Sequence, residues 1–100
     1  MKLYIAGPMS GLPEYNYPAF YEAEGRLAAR GYDTLNPARN PVPNPETWEG
    51  YMRLALAQVI AADGIAYLPG SGESRGAKLE LHVAAELGVE AKPVDEWLNV

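Results

Sequence analysis

The segment SRGAKLELHVAAELG, at residues 74–88, carries a carboxylate where an amphipathic helix would carry an apolar side chain. A helical projection places this residue, Glu80, inside an apolar arc. The arc contains Ala77, Leu81, Ala84, Leu87 and Gly88. A charged carboxylate on an apolar face costs free energy unless it is paired, hydrogen-bonded or at the edge of a cavity. Glu80 therefore either reaches solvent past the edge of the stripe or points into a pocket, where it could act on a ligand.

The turn before this helix, GSGESRG at residues 70–76, has the composition of an anion site. Unpaired N–H groups and the dipole at a helix N-terminus favour an anion. Ser74 can cap the helix or donate to a phosphate, Gly76 lets the backbone approach a ligand closely, and Arg75 adds positive charge. An ordinary capped helix explains the same residues equally well. A phosphate on this turn and a reactive carbon beside Glu80 would suit a nucleoside monophosphate.

Four strands and three long helices are needed to position these groups. Apolar runs predict strands at Lys2–Ala6, Tyr32–Asn36, Asp63–Leu68 and Val89–Val94, and helical spacing predicts helices at about 17–30, 45–61 and 75–88, with a final helical turn at 95–98. Alternating strands and helices indicate a mostly parallel sheet with helices on both faces. We expect one domain, residues 1–100, with a Rossmann-like or flavodoxin-like three-layer α/β architecture and four or five strands.

The loops differ in length at the two ends of this sheet. Residues 7–16, 37–46 and 69–75 follow the carboxyl ends of strands and are long, whereas the loops at 30–31, 61–63 and 87–88 are short. Ligands of open α/β sheets bind beyond the carboxyl ends of the strands. The GxGxxG and GxxxxGKS patterns are missing from the sequence, which argues against dinucleotide-binding and P-loop sites of the usual kind.

Composition excludes several other classes of function. The formal charge of −5 argues against binding to a nucleic-acid polymer, which needs a basic surface. The chain has no cysteine and a single histidine, His82, so we expect no Cys/His metal site and no cofactor held by one. No apolar run reaches membrane-spanning length, and the N-terminus does not have the pattern of a signal peptide. The composition fits a reducing cytoplasm.

Two segments, YIAGPMSG at 4–11 and SRGAKLEL at 74–81, resemble motifs of the nucleoside 2-deoxyribosyltransferase-like superfamily, which includes the 2'-deoxynucleoside 5'-phosphate N-hydrolases. The likeness spans nearly the whole chain and is greatest to a small bacterial and phage branch. It implies that Glu80 is the nucleophile that displaces the base, giving a glycosyl-enzyme intermediate resolved by water or a second base. It also implies that Tyr4 holds Glu80 or the sugar.

The same resemblance assigns binding roles and an assembly state. It implies that Gly7, Met9 and Gly11 line the base and sugar pocket. Ser74 and Gly76 would take the 5'-phosphate, with Arg75 beside them. The expected partner is a nucleoside or nucleotide without any cofactor, and family members form homodimers or larger assemblies. Trp97 is a candidate for such an interface.

One position departs from the pattern of the superfamily. The Asp that its members carry on the second helix appears here as Ala55, within RLALAQV. Glu46, Glu49 and Asp63 are the other acids available to protonate a departing base, although Asp63 would lie at the wrong end of the sheet. A catalytically weak or inactive nucleotide-binding module is therefore the alternative to an enzyme, and a purely structural protein with a degenerate pocket is a third.

Overall fold

A computed structural model describes residues 1–99 as one α/β fold built on a four-stranded, all-parallel sheet. The strands are β1 (Lys2–Ala6), β2 (Asp33–Leu35), β3 (Gly64–Tyr67) and β4 (Glu90–Pro93); the α-helices are α1 (Tyr17–Ala29), α2 (Trp48–Ala61), α3 (Arg75–Glu86) and α4 (Val94–Leu98). The strand order β2-β1-β3-β4 is flavodoxin-like, so the predicted fold class is confirmed. None of the helices among these residues is long and apolar enough to cross a membrane.

Most element boundaries differ from the sequence prediction by one to three residues. Helix α2 begins at Trp48 rather than near residue 45, because Thr47 caps it by accepting a hydrogen bond from the Gly50 N–H at 3.0 Å. Strand β4 ends at Pro93, and Val94 already belongs to α4. Short 3₁₀ turns, Pro13–Asn16, Pro37–Arg39 and Ser71–Glu73, interrupt the three long loops.

The sheet separates two apolar layers, and β1 contributes to both because its side chains alternate between faces. Leu3 and Ile5 pack with α1 and α4 on one face, whereas Tyr4 and Ala6 pack toward α2 and α3 on the other. Besides the strand residues, the first layer contains Phe20, Ala23, Leu27, Trp97 and Leu98, and the second contains Ala55, Val59, Ala62 and Ala84.

Two expectations about apolar residues were wrong. Trp97, a candidate interface residue, is only 3% exposed: its indole N–H donates to the Ile65 carbonyl at 2.8 Å, and its ring covers Gly64. Leu87 is 55% exposed and lies just after the last residue of α3, in the turn that leads through Gly88 to β4. The buried stripe of α3 is Ala77, Glu80 and Ala84.

Candidate functional site

A cleft opens at the carboxyl end of β1, between α2 and α3, where the loop-length asymmetry predicted a site. Its volume is about 100 Å³. Six of the predicted site residues line it: Tyr4, Gly7, Met9, Ser74, Gly76 and Glu80. These residues come from β1, the loop after it and the start of α3, so the parallel topology brings together segments that lie more than sixty residues apart in sequence.

Glu80 is turned inward and hydrogen-bonded. The residue is 6% exposed, and the Tyr4 hydroxyl donates to its Oε2 at 2.7 Å. No residue among 1–99 donates to Oε1, yet none of these residues has a fully buried side-chain oxygen or nitrogen without a partner. Oε1 therefore keeps contact with the space of the cleft, while Tyr4 fixes the orientation of the carboxyl group.

Burial makes this carboxyl group a weaker acid than usual. Desolvation raises the pKa of Glu80 from its ordinary value of 4.5 to about 7, and the hydrogen bond from Tyr4 opposes the rise. The pKa of Tyr4 lies well above its ordinary value, first because the phenol is buried and then because of the charge of Glu80. At neutral pH Tyr4 is thus a hydrogen-bond donor, and Glu80 is divided between its neutral acid and its carboxylate.

Ser74 caps the N-terminus of α3, as predicted for an ordinary capped helix. Its Oγ accepts a hydrogen bond from the Ala77 N–H at 3.3 Å, so the hydroxyl already has a structural task. Ser74 nevertheless lines the cleft. An anion at this end of α3 would be held chiefly by main-chain N–H groups, with the Ser74 hydroxyl free to donate its proton.

Both predicted glycines of the cleft have close packing neighbours, independently of any ligand. A Cβ at Gly7 would lie 2.8 Å from Leu68 Cδ1 and 3.0 Å from Phe20 Cζ. A Cβ at Gly76 would lie 3.2 Å from Met52 Sδ, because α2 and α3 approach closely there. The main chain of both residues can still contact a ligand, but core packing alone explains why Gly7 carries no side chain, whereas at Gly76 the Met52 side chain would have to move.

The other two predicted binding residues, Gly11 and Arg75, lie outside the lining of the cleft. Gly11 is exposed in the loop after β1 and adopts a left-handed conformation with φ of +81°. The guanidinium of Arg75 stacks on the Trp48 ring, 3.6 Å from its centroid. Arg75 and Trp48 line an outer groove that continues from the cleft past Ser74 and Gly76.

Two further spaces share lining residues with the cleft. The outer groove has a volume of about 720 Å³ and shares Ser10, Trp48, Ser74 and Gly76 with the cleft. A smaller side pocket, of about 190 Å³, shares Met9, Ser10, Tyr17 and Tyr51 with it. Glu80 therefore lines the smallest of three adjoining spaces and neither of the two larger ones.

The carboxylates considered as possible acids lie in different parts of the structure, and only one of them is near the cleft. Ala55 lines the cleft and is 5% exposed, so the position predicted to replace the superfamily Asp does face this space. Asp63 lies at the opposite end of the sheet, where it accepts a hydrogen bond from the Lys2 N–H at 2.8 Å. Glu49 is exposed on the first turn of α2, and Glu46 lines the side pocket.

Several residues of the cleft were missed by the sequence analysis. Ser10, Asn40 and Tyr51 line it, as does Trp48, for which we had no predicted role at the site. Tyr51 and Trp48 are spaced i, i+3 on α2, so the apolar stripe of that helix offered a signal, since one end of it faces the cleft. Ser10 and Asn40 lie in loops, and their spacing carries no comparable signal.

A separate hollow of about 600 Å³ lies at the carboxyl ends of β3 and β4, beside α1 and α4. It contains none of the predicted site residues. The charged groups on its rim are exposed and mutually paired: Arg26 lies 3.2 Å from Asp95 and 4.0 Å from Glu22. Such surface pairs contribute little free energy and leave no unpaired group for chemistry, so the cleft at Glu80 is the better candidate site.

Within residues 1–99, no cluster of three or more His, Asp or Glu side chains is arranged to hold a metal ion. The sequence model of one family, described as a domain of unknown function (DUF4406), matches residues 1–92 of the chain. No curated protein is similar enough to the chain to count as a match.

Proposed function

The chain belongs to the DUF4406 family, and we propose that it cleaves the N-glycosidic bond of a deoxynucleoside or a deoxynucleoside 5'-monophosphate, with Glu80 as the nucleophile. The observation that carries the proposal is the inward-facing Glu80 carboxyl, held by the Tyr4 hydroxyl at 2.7 Å with Oε1 open to a cleft. A carboxyl group whose burial costs free energy and which faces a cavity is typical of a catalytic or binding site.

The chemistry would proceed in two displacements at the anomeric carbon of the sugar. Oε1 of the ionised Glu80 attacks that carbon as its bond to the base nitrogen breaks, and the base leaves with the bonding electron pair and takes up a proton from water. A second water then attacks the same carbon. The ester bond to Oε1 breaks, its electron pair returns to Glu80, and the proton of the attacking water passes to solvent. A second base in place of this water would give transfer.

The hydrogen bond from Tyr4 would serve both displacements. It stabilises the ionised form of Glu80 before attack and again when the carboxylate leaves the sugar. Because the donor contacts Oε2, it does not block Oε1. Tyr4 also limits the rotation of the carboxyl group, which keeps the attacking oxygen aimed at the cleft.

The spaces around Glu80 fit a ligand of three parts. The central cleft is narrow enough for a sugar, the outer groove runs past the N-terminus of α3 and Arg75, and the side pocket has aromatic walls. A phosphate at the helix N-terminus and a planar base in the side pocket would leave the anomeric carbon in the section that contains Glu80. This arrangement supports a nucleoside monophosphate over a smaller glycoside.

The proposal is tested by measuring base release from the four common 2'-deoxynucleosides and their 5'-monophosphates by chromatography. The wild-type protein should release base from at least one of them, and Glu80→Gln should lower that rate at least about 1,000-fold. Glu86→Gln, an exposed residue on the same helix, is the matched control and should retain the wild-type rate. The proposal is rejected if no substrate releases base, or if Glu80→Gln releases it as fast as wild type.

A second candidate function is nucleotide binding without turnover, and Ala55 favours it. Ala55 lies in the lining of the cleft, where a carboxylate could assist departure of the base, but it offers no polar group. Under this alternative, calorimetry would detect nucleotide binding by wild-type protein that releases no base, and Ala55→Asp would create or raise base release. Unchanged activity in a folded Ala55→Asp variant would count against an eroded enzyme.

A further inference from the structure

The side pocket combines aromatic walls with one carboxylate. Its lining consists of Met9, Ser10, Tyr15, Tyr17, Glu46 and Tyr51. The rings of Tyr15 and Tyr17 lie 6.1 Å apart between centroids and are tilted by 45°, so they present two faces of an angled wall rather than a closed stack. A planar ring that enters from the cleft would meet aromatic surface and a single charged side chain.

Glu46 is oriented by a neighbour on α2. The Tyr51 hydroxyl donates to its Oε1 at 3.0 Å, and this hydrogen bond is the main reason why the pKa of Tyr51 is raised. No residue among 1–99 donates to Oε2 of Glu46 in the structure. An ionised carboxylate only accepts hydrogen bonds, so Glu46 offers the pocket acceptor sites and no donor.

The opposite wall of the pocket is built on unusual backbone. Glu14, Tyr15 and Asn16 have φ of 54°, 52° and 61°, in the left-handed region that non-glycine residues rarely occupy. The Asn16 amide donates to the Pro8 carbonyl at 3.0 Å and ties this segment to the loop after β1. Such conformations cost free energy and tend to occur at binding sites. Here they set Tyr15 against the pocket.

We propose that the side pocket binds the heterocyclic base and that Glu46 selects bases presenting N–H donors, amino groups above all. This inference rests on the proposed function for the presence of a base, but it assigns a specificity residue of its own. Stacking on tyrosine rings is possible for any base. A bound base that displaces water from the carboxylate must replace the hydrogen bonds of that water, and a base without an N–H donor cannot do so. Selection therefore depends on the carboxylate, and affinity on the rings.

The test compares three 2'-deoxyribosides that differ in the number of amino groups on the ring: those of 2,6-diaminopurine, adenine and unsubstituted purine. Binding is measured by titration calorimetry in Glu80→Gln protein, where no base is released. We expect the diaminopurine nucleoside to bind at least about 10-fold more tightly than the purine nucleoside, with adenine between them. Glu46→Ala should reduce this ratio to within about 2-fold, and Tyr51→Phe should reduce it in part.

Glu49→Ala is the matched control, since Glu49 is an exposed carboxylate nearby that does not line the pocket. It should leave the ratio unchanged. Equal affinities in the parent protein, a ratio that survives Glu46→Ala, or no binding of any of the three nucleosides would overturn the inference. If the affinity ratio depends on Glu46 but the wild-type protein never releases base, the inference is supported and the proposed catalysis is rejected. If base is released but the affinity ratio does not depend on Glu46, the catalysis is supported and the inference is rejected.

Discussion

The two faces of the sheet are filled in different ways, although the same central strand supplies both. Toward α1 and α4, the buried side chains include Leu3, Ile5, Phe20, Leu27 and Trp97. Toward α2 and α3, the buried side chains are mostly alanines, with Tyr4 among them and Glu80 at the cleft. The first face buries more apolar surface per residue, and it has no acidic group comparable to Glu80 among its buried members.

Under the proposed function, this difference separates stability from chemistry within a chain of only 100 residues. Burial of large apolar side chains is the main favourable term in folding. Alanines instead allow α2 and α3 to approach each other and the sheet closely, which leaves room beside them for a cleft and a polar pair. We expect substitutions on the first face to alter mainly the free energy of unfolding, and substitutions on the second to alter mainly reactivity.

The largest expected effect is on the face toward α1. Leu27 is fully buried there and lines none of the spaces around Glu80. Leu27→Ala removes apolar contacts and leaves a cavity, so we expect it to lower the free energy of unfolding by about 2–5 kcal/mol, measured by urea denaturation. The rate of base release per folded molecule should stay within about 2-fold of wild type. A large loss of rate in the folded protein would contradict the separation.

The second-largest expected effect is an increase in the free energy of unfolding, and it depends on pH. The pKa of Glu80 is about 7 in the folded protein against an ordinary value of 4.5, so the folded state binds more protons between these values. Stability is therefore lost as the pH rises from about 4.5 through 7, by about 3 kcal/mol in total. Glu80→Gln removes the ionisation and should be more stable than wild type by up to this amount at pH 8.5.

Thermal or urea unfolding of both proteins at pH 4.5 and pH 8.5 checks this expectation. The difference between wild type and Glu80→Gln should be small at the lower pH and large at the higher one. Glu86→Gln, on the exposed side of α3, should show no such dependence. A pH-independent difference would mean that Glu80 does not carry the cost of desolvation inferred from its burial.

The smallest expected effect concerns the hydrogen bond between Tyr4 and Glu80. Tyr4→Phe removes the donor that lowers the pKa of Glu80, so this pKa should rise further. The rising limb of base release against pH should move to higher pH, and the rate at pH 7 should fall roughly 10-fold. The free energy of unfolding at pH 4.5 should change by only about 1 kcal/mol. An unmoved pH profile would show that Tyr4 does not tune Glu80.

The order of elements could be predicted from the sequence because it depends on local periodicity. The same periodicity placed Glu80 on the apolar arc of its helix but left open whether its carboxyl group reaches solvent or points into a pocket. The position of the site at the carboxyl end of β1 followed from loop length, which is also local. The contact between Tyr4 and Glu80 joins residues 76 positions apart. Only the resemblance to a known superfamily proposed this pairing, since helical or strand spacing gives no distance between separate elements.

The errors arose where tertiary contacts decide the outcome. Trp97 was a candidate for a subunit interface, but its indole N–H donates to the Ile65 carbonyl on β3, inside the core. Leu87 continued the apolar arc in projection, yet the helix had already ended. The shape of the side pocket could not be predicted, since it depends on the left-handed conformations of Glu14 and Tyr15, for which these residue types give no signal.

Phe20 belongs to the core layer on the α1 face of the sheet and also contacts the cleft on the other side of β1. Its ring lies in the core beside α1, comes within 3.0 Å of where a side chain on Gly7 would begin, and forms part of the cleft lining. The chain leaving β1 is thus wedged against this ring. A change in the size of this ring would alter the width of the cleft, so the space available to a ligand depends on a core residue as well as on Tyr4 and Glu80.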